Sequence, residues 1–359
     1  MNITIVGGGN IGTQFAVHCA HKGHSVTIFS SKPERFSKNI RCVDAQGNVF
    51  CTGTLRQATA DPIVAFADAD VIFVTVPADC MVPYAQQILP HIRPGVKLGL
   101  IPGTGGGECV FREALEKGAV IFGLQRVPAV ARLREYGSTV CSTGYRSELF
   151  AAALPRRYST DCCQMLSDIF DIPCTALPDY LNLTLTPSNP ILHTTRLKNL
   201  YGDYAPGVVY PEIPLFYQHW NNETSRLLLA CDAEVQLLCS ALDHFDLTGV
   251  KSLKVHYESD TPEKMTAKIA SIPAFQGLTS PSIPVDGGFI PDFSSRYFTA
   301  DFSYGLTILV QFAQIAGISA PNMKETLQWY QKIAGETAMF RFEQWGIRNL
   351  EDLIAFYAQ

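Results

Sequence analysis

Short apolar runs alternate with amphipathic stretches through the first half of the chain. The runs are rich in β-branched side chains and flanked by Gly, Pro or Asp, which is typical of buried strands, and they lie at residues 3–6, 25–29, 71–76, 97–101 and 119–123. Helical periodicity fills residues 11–22, 80–89 and 107–117. Strand, helix and strand in succession predict right-handed crossovers and a doubly wound parallel sheet of the α/β class.

The pattern changes near Pro178, after which apolar positions recur at helical spacing. The longer helices predicted there lie at residues 223–245, 262–269, 304–316 and 321–333, with Pro- and Gly-rich breaks at 204–214 and 279–292. We therefore predict two domains. A doubly wound α/β domain occupies residues 1–180, and an all-helical domain occupies residues 181–359.

Composition narrows the class of function. Of 359 residues, 47% are hydrophobic and 17% charged, which is enough apolar surface for two packed cores. Lys and Arg number 28 against 33 Asp and Glu, and this net charge of -5 argues against nucleic acid as a partner. The apolar runs fall far short of the roughly 20 residues that a membrane helix needs, and the N-terminus lacks a signal-peptide pattern, so we expect a cytoplasmic protein without membrane contact.

Cysteine and histidine usage does not indicate a metal site. The 11 cysteines are scattered without a Cys-x-x-Cys pair, which in a reducing cytosol predicts buried thiols. His18, Cys19, His21 and His24 lie close together, but only His18 and His21 share a helical face. We interpret this cluster as a polar helix end and predict no metal.

The glycine-rich segment after the first predicted strand fits the pattern G-x-G-x-x-G and opens a helix. Gly7 would permit the tight turn, Gly9 would let a pyrophosphate approach the backbone, and Gly12 would let the helix pack on the strand. Asn10 and Ile11 lie at the helix N-terminus, whose N–H groups attract phosphates. A turn without a ligand is the alternative, but the strand–turn–helix context favours a dinucleotide. We therefore predict that residues 1–180 form a dinucleotide-binding domain of the Rossmann type.

The residue after the second predicted strand bears on cofactor choice. NAD-binding folds usually place an acidic residue there for the ribose 2′-hydroxyl, whereas this chain has Ser30, followed by Ser31, Lys32 and Arg35. Hydroxyls and cations would hold a 2′-phosphate through charge-assisted hydrogen bonds. The sequence favours NADP(H) and leaves NAD(H) open, the alternative being a solvated turn.

Two further loops follow predicted parallel strands. Pro77 ends the strand at 71–76, and Thr104 lies in the glycine-rich run after the strand at 97–101. Ligands of open α/β sheets bind at the carboxyl ends of strands, so we assign both residues to the lining of the cofactor site.

The candidate proton donor lies just past the predicted domain boundary. Ser188 or Asn189 can cap a helix that begins at Pro190, and His193 then falls in its first turn at the edge of the inter-domain cleft. A carbonyl or imine reductase needs such a donor. A histidine that serves only the helical core is the alternative.

A second segment supplies a carboxylate and a cation. Asp301 could orient His193, and Arg296 could bind a substrate carboxylate in bidentate fashion. Alternatively, Asp301 caps the following helix and Arg296 forms a surface ion pair. The residues alone do not show that positions 193 and 301 meet.

Three elements together resemble the opine dehydrogenase family. They are the N-terminal fingerprint, Asn-Pro-x-x-His at residues 189–193, and Arg-Tyr-Phe-x-x-Asp-x-x-x-Gly-Leu at residues 296–306. The resemblance extends over nearly the whole chain. It implies that an amino acid condenses with a 2-oxo acid such as pyruvate and that NAD(P)H reduces the resulting imine to an N-(1-carboxyalkyl)amino acid.

The resemblance also implies roles for individual residues. His193 matches the family's catalytic histidine, Asp301 its carboxylate partner, and Arg296 the arginine near the oxo-acid carboxylate, with Asn189 beside them on the substrate side. The chain departs from the family pattern at Thr195, where many members have proline, and at Ser30, where an acidic residue is usual.

Two alternatives remain open. A relative of ketopantoate reductase or glycerol-3-phosphate dehydrogenase would use a lysine of the helical domain, for which Lys198 is the candidate. A non-catalytic NADP-binding sensor would keep the fold without the chemistry. Helical second domains of this kind often dimerise, which leaves a homodimer open, and the sequence specifies neither the oligomeric state nor the amino-acid substrate.

Overall fold

The computed structural model describes residues 1–187, 189–335 and 337–359. The chain divides into two compact units, one comprising Met1–Thr184 with Ala355–Gln359 and the other Leu185–Ile354. The division thus falls four residues beyond position 180, and the last residues belong to the first unit instead of the helical one. Among their contacts with the first unit, the buried Tyr357 hydroxyl donates to the Glu108 carboxyl group at 2.7 Å.

The first unit contains both the strands and the shorter helices. Its strands are β1 (Asn2–Val6), β2 (Ser25–Phe29), β3 (Asn39–Val43), β4 (Val49–Thr54), β5 (Gln57–Thr59), β6 (Val71–Val74), β7 (Lys97–Leu100), β8 (Val120–Leu124), β9 (Val130–Glu135), β10 (Thr139–Thr143), β11 (Leu149–Leu154) and β12 (Cys174–Ala176). Its helices are α1 (Asn10–His21), α2 (Pro62–Phe66), α3 (Met81–Ile88), α4 (Gly107–Val110), α5 (Arg112–Glu116), α6 (Ser159–Phe170) and α7 (Leu181–Thr184).

The main sheet has the order β12-β11-β8-β7-β6-β1-β2-β5. Strands β5, β2, β1, β6, β7 and β8 pair in parallel, which confirms the predicted doubly wound sheet. Strand β11 joins antiparallel to β8, and this reversal was not predicted. Central side chains such as Ile5, Ile28 and Phe73 are fully buried, as expected for strands covered on both faces.

A second sheet of the order β4-β3-β10-β9 was missed by the sequence analysis. Strands β3 and β4 alternate between buried and exposed residues over five or six positions, so their apolar pattern is weak. The sheet packs on α1, where a Cβ at Gly53 would meet the side chain of Ala20. Its inner face joins the same core as β1 and α1 through Ile40, Cys42 and Val140.

The second unit is mainly helical. Its elements are α8 (Asn189–Tyr201), α9 (Asn222–Ala241), α10 (Leu253–His256), α11 (Pro262–Ser271), β13 (Ser282–Val285), β14 (Gly288–Pro291), α12 (Arg296–Thr299), α13 (Thr307–Ile315) and α14 (Pro321–Ala334). Helix α15 (Leu350–Tyr357) follows and continues into the first unit. The helical character confirms the sequence prediction, and the β13–β14 hairpin is an addition to it.

Local capping explains where several of these helices begin. The Asn221 side chain accepts from the amide of Thr224 at the start of α9, and Thr261 accepts from Lys264 at the start of α11. The predicted helix at 304–316 is divided, because a π-helical turn, Phe302–Leu306, precedes α13. Within the described residues, no helix is both long and apolar enough to cross a membrane.

Candidate active site

The loop between β1 and α1 has the shape that a dinucleotide requires. Gly7 has φ +96°, a left-handed conformation that favours glycine. A Cβ at Gly12 would collide with the Gly7 carbonyl, so the helix could not pack this closely on the strand. A Cβ at Gly9 would meet nothing within 4 Å, which leaves open space where a pyrophosphate would approach. The residues present therefore fit a dinucleotide.

Asn10 and Ile11 contribute to this loop in different ways. The Asn10 side chain accepts from the backbone amide of Leu133 at 2.8 Å, which ties the start of α1 to β9. Ile11 is half-buried against the core of the first unit. Both residues hold the helix N-terminus in place through these contacts.

The loop after β2 carries the residues predicted to select the cofactor. Ser30 is buried, and its Oγ accepts from the amide of Lys32 at 3.2 Å. Ser31, Lys32 and Arg35 are exposed. The Arg35 guanidinium lies 4.4 Å from the ring centre of Tyr136, whose hydroxyl is 3.5 Å from Ser30 Oγ. Sequence analysis missed Tyr136, because it follows β9 in the unpredicted second sheet.

Pro77 and Thr104 lie beyond neighbouring strands of the main sheet. Pro77 is exposed after β6, and Thr104 is half-buried in the turn after β7. Strand β6 pairs with β1 on one side and β7 on the other, all in parallel. The two residues therefore share the sheet edge at which the Gly7–Gly12 loop begins.

The second unit brings the predicted histidine and carboxylate together. His193 Nδ1 lies 2.7 Å from Asp301 Oδ2, although 108 positions separate the two residues. His193 is 2% exposed, whereas the Asp301 side chain is 16% exposed. This contact fixes the ring orientation of His193.

A third group, not identified from the sequence, completes this arrangement. The Tyr217 hydroxyl lies 2.7 Å from His193 Nε2, so both ring nitrogens are occupied. Tyr217 is buried, and burial, followed by the neighbouring Tyr297, raises its pKa well above the usual value, which keeps the hydroxyl protonated. It follows an irregular segment without periodicity, so no sequence signal pointed to it.

Arg196 fixes the segment that carries Tyr217. This fully buried residue lies one helical turn after His193 on α8. Its guanidinium donates to the carbonyls of Phe216 at 2.9 Å and His219 at 2.8 Å, and more weakly to Leu215 at 3.4 Å. Burial lowers its pKa to about 10, which still leaves it charged at neutral pH.

Arg296 and Asn189 lie at helix starts. Arg296 is the exposed first residue of α12, with its guanidinium 5.6 Å from the ring centre of Tyr297. The Tyr297 ring in turn lies 4.3 Å from the His193 ring, so Arg296 is separated from the histidine by one aromatic side chain. Asn189 is the exposed first residue of α8, and its proposed capping neighbour Ser188 lies outside the described residues.

The glycine of the second family element has a packing function. A Cβ at Gly305 would lie 3.0 Å from the ring of Pro190, so the π-helical turn packs tightly against the start of α8. This contact connects the element that carries Asp301 to the element that carries His193.

The lysine required by the alternative dehydrogenase reading is engaged elsewhere. Lys198 Nζ forms an ion pair with the Glu325 carboxylate at 2.7 Å, and Glu325 is largely exposed. Among the residues that the structure describes, no cluster of His, Cys, Asp and Glu side chains could hold a metal ion.

Comparison with known proteins gives family matches in both units. The α-helical domain of NAD/NADP octopine/nopaline dehydrogenase matches residues 176–334, and the N-terminus of NAD-dependent glycerol-3-phosphate dehydrogenase matches residues 2–102. Opine dehydrogenase from Haliotis discus hannai is 30% identical over 79% of this chain and 74% of its own length. Octopine dehydrogenase from Pecten maximus is 27% identical over 94% and 91%.

Solved structures agree in fold. Octopine dehydrogenase with NADH and L-arginine aligns with a TM-score of 0.85 at 23% identity, covering 98% of this chain and 97% of that one. The same enzyme with NADH and pyruvate aligns with a TM-score of 0.84 at 23% identity, covering 99% and 98%.

Fold and relatives together define the class as NAD(P)-dependent oxidoreductases that act on CH–NH bonds. Within this class, the chain belongs to the opine dehydrogenase family. This assignment confirms the resemblance found in the sequence and excludes the interpretation as a non-catalytic sensor.

Proposed function

We propose that this enzyme condenses an amino acid with a 2-oxo acid such as pyruvate and reduces the imine, with His193 as the proton donor. The observation that carries the proposal is the contact between His193 Nδ1 and Asp301 Oδ2 at 2.7 Å. A buried imidazole held by a carboxylate is oriented for proton transfer to the substrate.

The residues have separate tasks in this mechanism. His193 donates the proton that lets water leave the carbinolamine formed from the two substrates, and Asp301 holds the imidazole ring in place through Nδ1. Arg296 binds the carboxylate of the oxo acid, because its exposed guanidinium presents paired N–H donors. Asn189, at the start of the same helix as His193, is assigned to the substrate side. A bound nicotinamide supplies the hydride for the imine carbon.

Replacing His193 tests this assignment. We expect H193A to lower kcat by about 10²- to 10⁴-fold, the usual contribution of a general acid, without changing the Kd for NADPH. NADPH oxidation with pyruvate and a panel of amino acids measures the first quantity, and cofactor fluorescence the second. H244A is the matched control, because His244 is half-exposed beside Asp243. Turnover of H193A near the wild-type rate would refute the role of His193.

We further propose that NADP(H) is preferred over NAD(H). Lys32, Arg35 and Ser31 are exposed beside Ser30, and a 2′-phosphate would be neutralised by the two cations. The experiment is a comparison of both cofactors in R35M. We expect KM for NADPH to rise about tenfold or more while KM for NADH stays constant, since a charge-assisted hydrogen bond contributes about 1.5–3 kcal/mol. An equal rise for both cofactors would contradict the preference.

Assembly and location are also part of the proposal. We propose a cytoplasmic homodimer, because helical second domains of this kind often dimerise and the 11 cysteines are free thiols, as suits a reducing compartment. Light scattering of the purified enzyme, with and without NADPH, measures its mass directly. A monomer under both conditions would refute the dimer.

A further inference from the structure

Tyr217 occupies the nitrogen that His193 would use on a substrate. Its hydroxyl lies 2.7 Å from Nε2, while Nδ1 is committed to Asp301. A substrate oxygen therefore cannot reach Nε2 directly unless Tyr217 moves. The hydroxyl can donate to neutral His193 and accept from protonated His193, so the contact suits both charge states.

The surroundings of Tyr217 oppose such a movement. Its ring stacks on Phe275 with centroids 4.1 Å apart and planes 19° apart, and it is parallel to Trp220 at 6.3 Å. The flanking carbonyl of Phe216 is held by the buried Arg196 guanidinium. A buried aromatic ring in close packing has few alternative rotamers.

We propose that the Tyr217 hydroxyl transfers the proton between His193 and the substrate. The inference rests on the proposed function, because it requires His193 as the source of the proton. The Tyr217 O–H bond breaks as its proton passes to the hydroxyl oxygen of the carbinolamine. The C–O bond of the carbinolamine then breaks and releases water, while the nitrogen lone pair forms the C=N bond. Tyr217 takes the proton of His193 Nε2 at the same time, leaving neutral His193 and ionised Asp301.

The alternative is that Tyr217 blocks the histidine and must be displaced before the substrate binds. The two roles predict opposite effects of removing the hydroxyl. A relay would lose rate, whereas a blocking group would leave kcat unchanged or raised and would lower KM for the oxo acid.

The experiment compares Y217F, H193A and Y201F. Tyr201 is a matched control, since it is also a fully buried tyrosine of the second unit whose hydroxyl donates to a backbone carbonyl, that of Pro281, at 2.9 Å. We expect Y217F to lower kcat by about 10²- to 10³-fold with KM for pyruvate and Kd for NADPH nearly unchanged, and Y201F to keep wild-type kcat.

A second measurement covers the case in which Y217F does not fold. Incorporation of 3-fluorotyrosine at position 217 keeps the shape of the ring and makes the hydroxyl more acidic. A relay predicts that the pH profile of kcat changes with this acidity, which a purely structural tyrosine would not cause. An unchanged profile, or a Y217F enzyme with wild-type kcat, would overturn the inference. If both Y217F and H193A kept wild-type kcat, the proposed role of His193 would fail as well. If H193A were inactive and Y217F active, only the relay through Tyr217 would be refuted.

Discussion

Arg196 allows a quantitative test of how the active-site segment is held. In R196M the aliphatic part of the side chain remains, but the donors to the carbonyls of Phe216, His219 and Leu215 are lost. We expect the second unit to lose stability and the Tyr217 hydroxyl to lose its fixed position beside His193 Nε2.

The magnitude follows from the hydrogen bonds. Two of them are short, at 2.9 and 2.8 Å, and their donor is charged. Leaving a buried carbonyl without a partner costs about 1–3 kcal/mol, so two such groups cost roughly 2–6 kcal/mol. The burial that lowers the pKa of Arg196 to about 10 shows that the charge itself is desolvated, and removing it recovers part of this cost. We therefore expect a net loss of about 3 kcal/mol.

Thermal unfolding followed by circular dichroism measures this loss. At about 2–4 °C per kcal/mol for a unit of this size, Tm should fall by about 6–12 °C. R226M is the matched control, because Arg226 is exposed on α9 and should change stability by less than about 0.5 kcal/mol. The kcat of R196M should fall at temperatures at which the protein remains folded. Wild-type Tm together with wild-type kcat in R196M would refute the reasoning.

Three further predictions concern other parts of the chain. G9A should fold normally, since a Cβ at position 9 meets nothing within 4 Å, but this Cβ would occupy the space that the pyrophosphate approaches. NADPH at 100 times its Kd stabilises the wild type by about 2.7 kcal/mol, and G9A should lose this stabilisation. An undiminished rise in Tm with NADPH would contradict the prediction. Burial raises the pKa of Asp232 from 3.8 to about 6, so the protonated Asp232 carboxyl stabilises the folded state fully below pH 4, and this stabilisation of about 3 kcal/mol is lost as pH rises through 6. The fall in Tm between pH 4 and pH 7.5 should therefore be smaller in D232N than in the wild type. Equal falls in Tm would contradict this prediction. K198M should keep wild-type kcat, because Lys198 is paired with exposed Glu325, and an inactive K198M enzyme would favour the lysine-dependent alternative.

The sequence predicted the central sheet well because its strands are buried at nearly every position and are therefore mostly apolar. The predicted strand at 25–29 coincides with β2 (Ser25–Phe29), and the predicted strand at 71–76 overlaps β6 (Val71–Val74). The second sheet was missed because β3 and β4 alternate between buried and exposed residues over only five or six positions. Alternation this short gives little signal against the surrounding loops.

For the candidate site, motifs identified His193 and Asp301, and the fold brings their side chains within 2.7 Å. Tyr217 and Tyr136 could not be found in this way, because each follows an irregular or weakly patterned segment. Their positions depend on tertiary contacts, with the Arg196 guanidinium in one case and that of Arg35 in the other.

The return of α15 to the first unit has a consequence for synthesis on the ribosome. The carboxyl group of Glu108 is fully buried and accepts from Thr184 at 2.6 Å and from Tyr357 at 2.7 Å through the same oxygen. One of these two donors is translated only after the entire helical unit has been made. The nucleotide-binding unit therefore acquires this buried contact only after the helical unit between Leu185 and Ile354 has been translated.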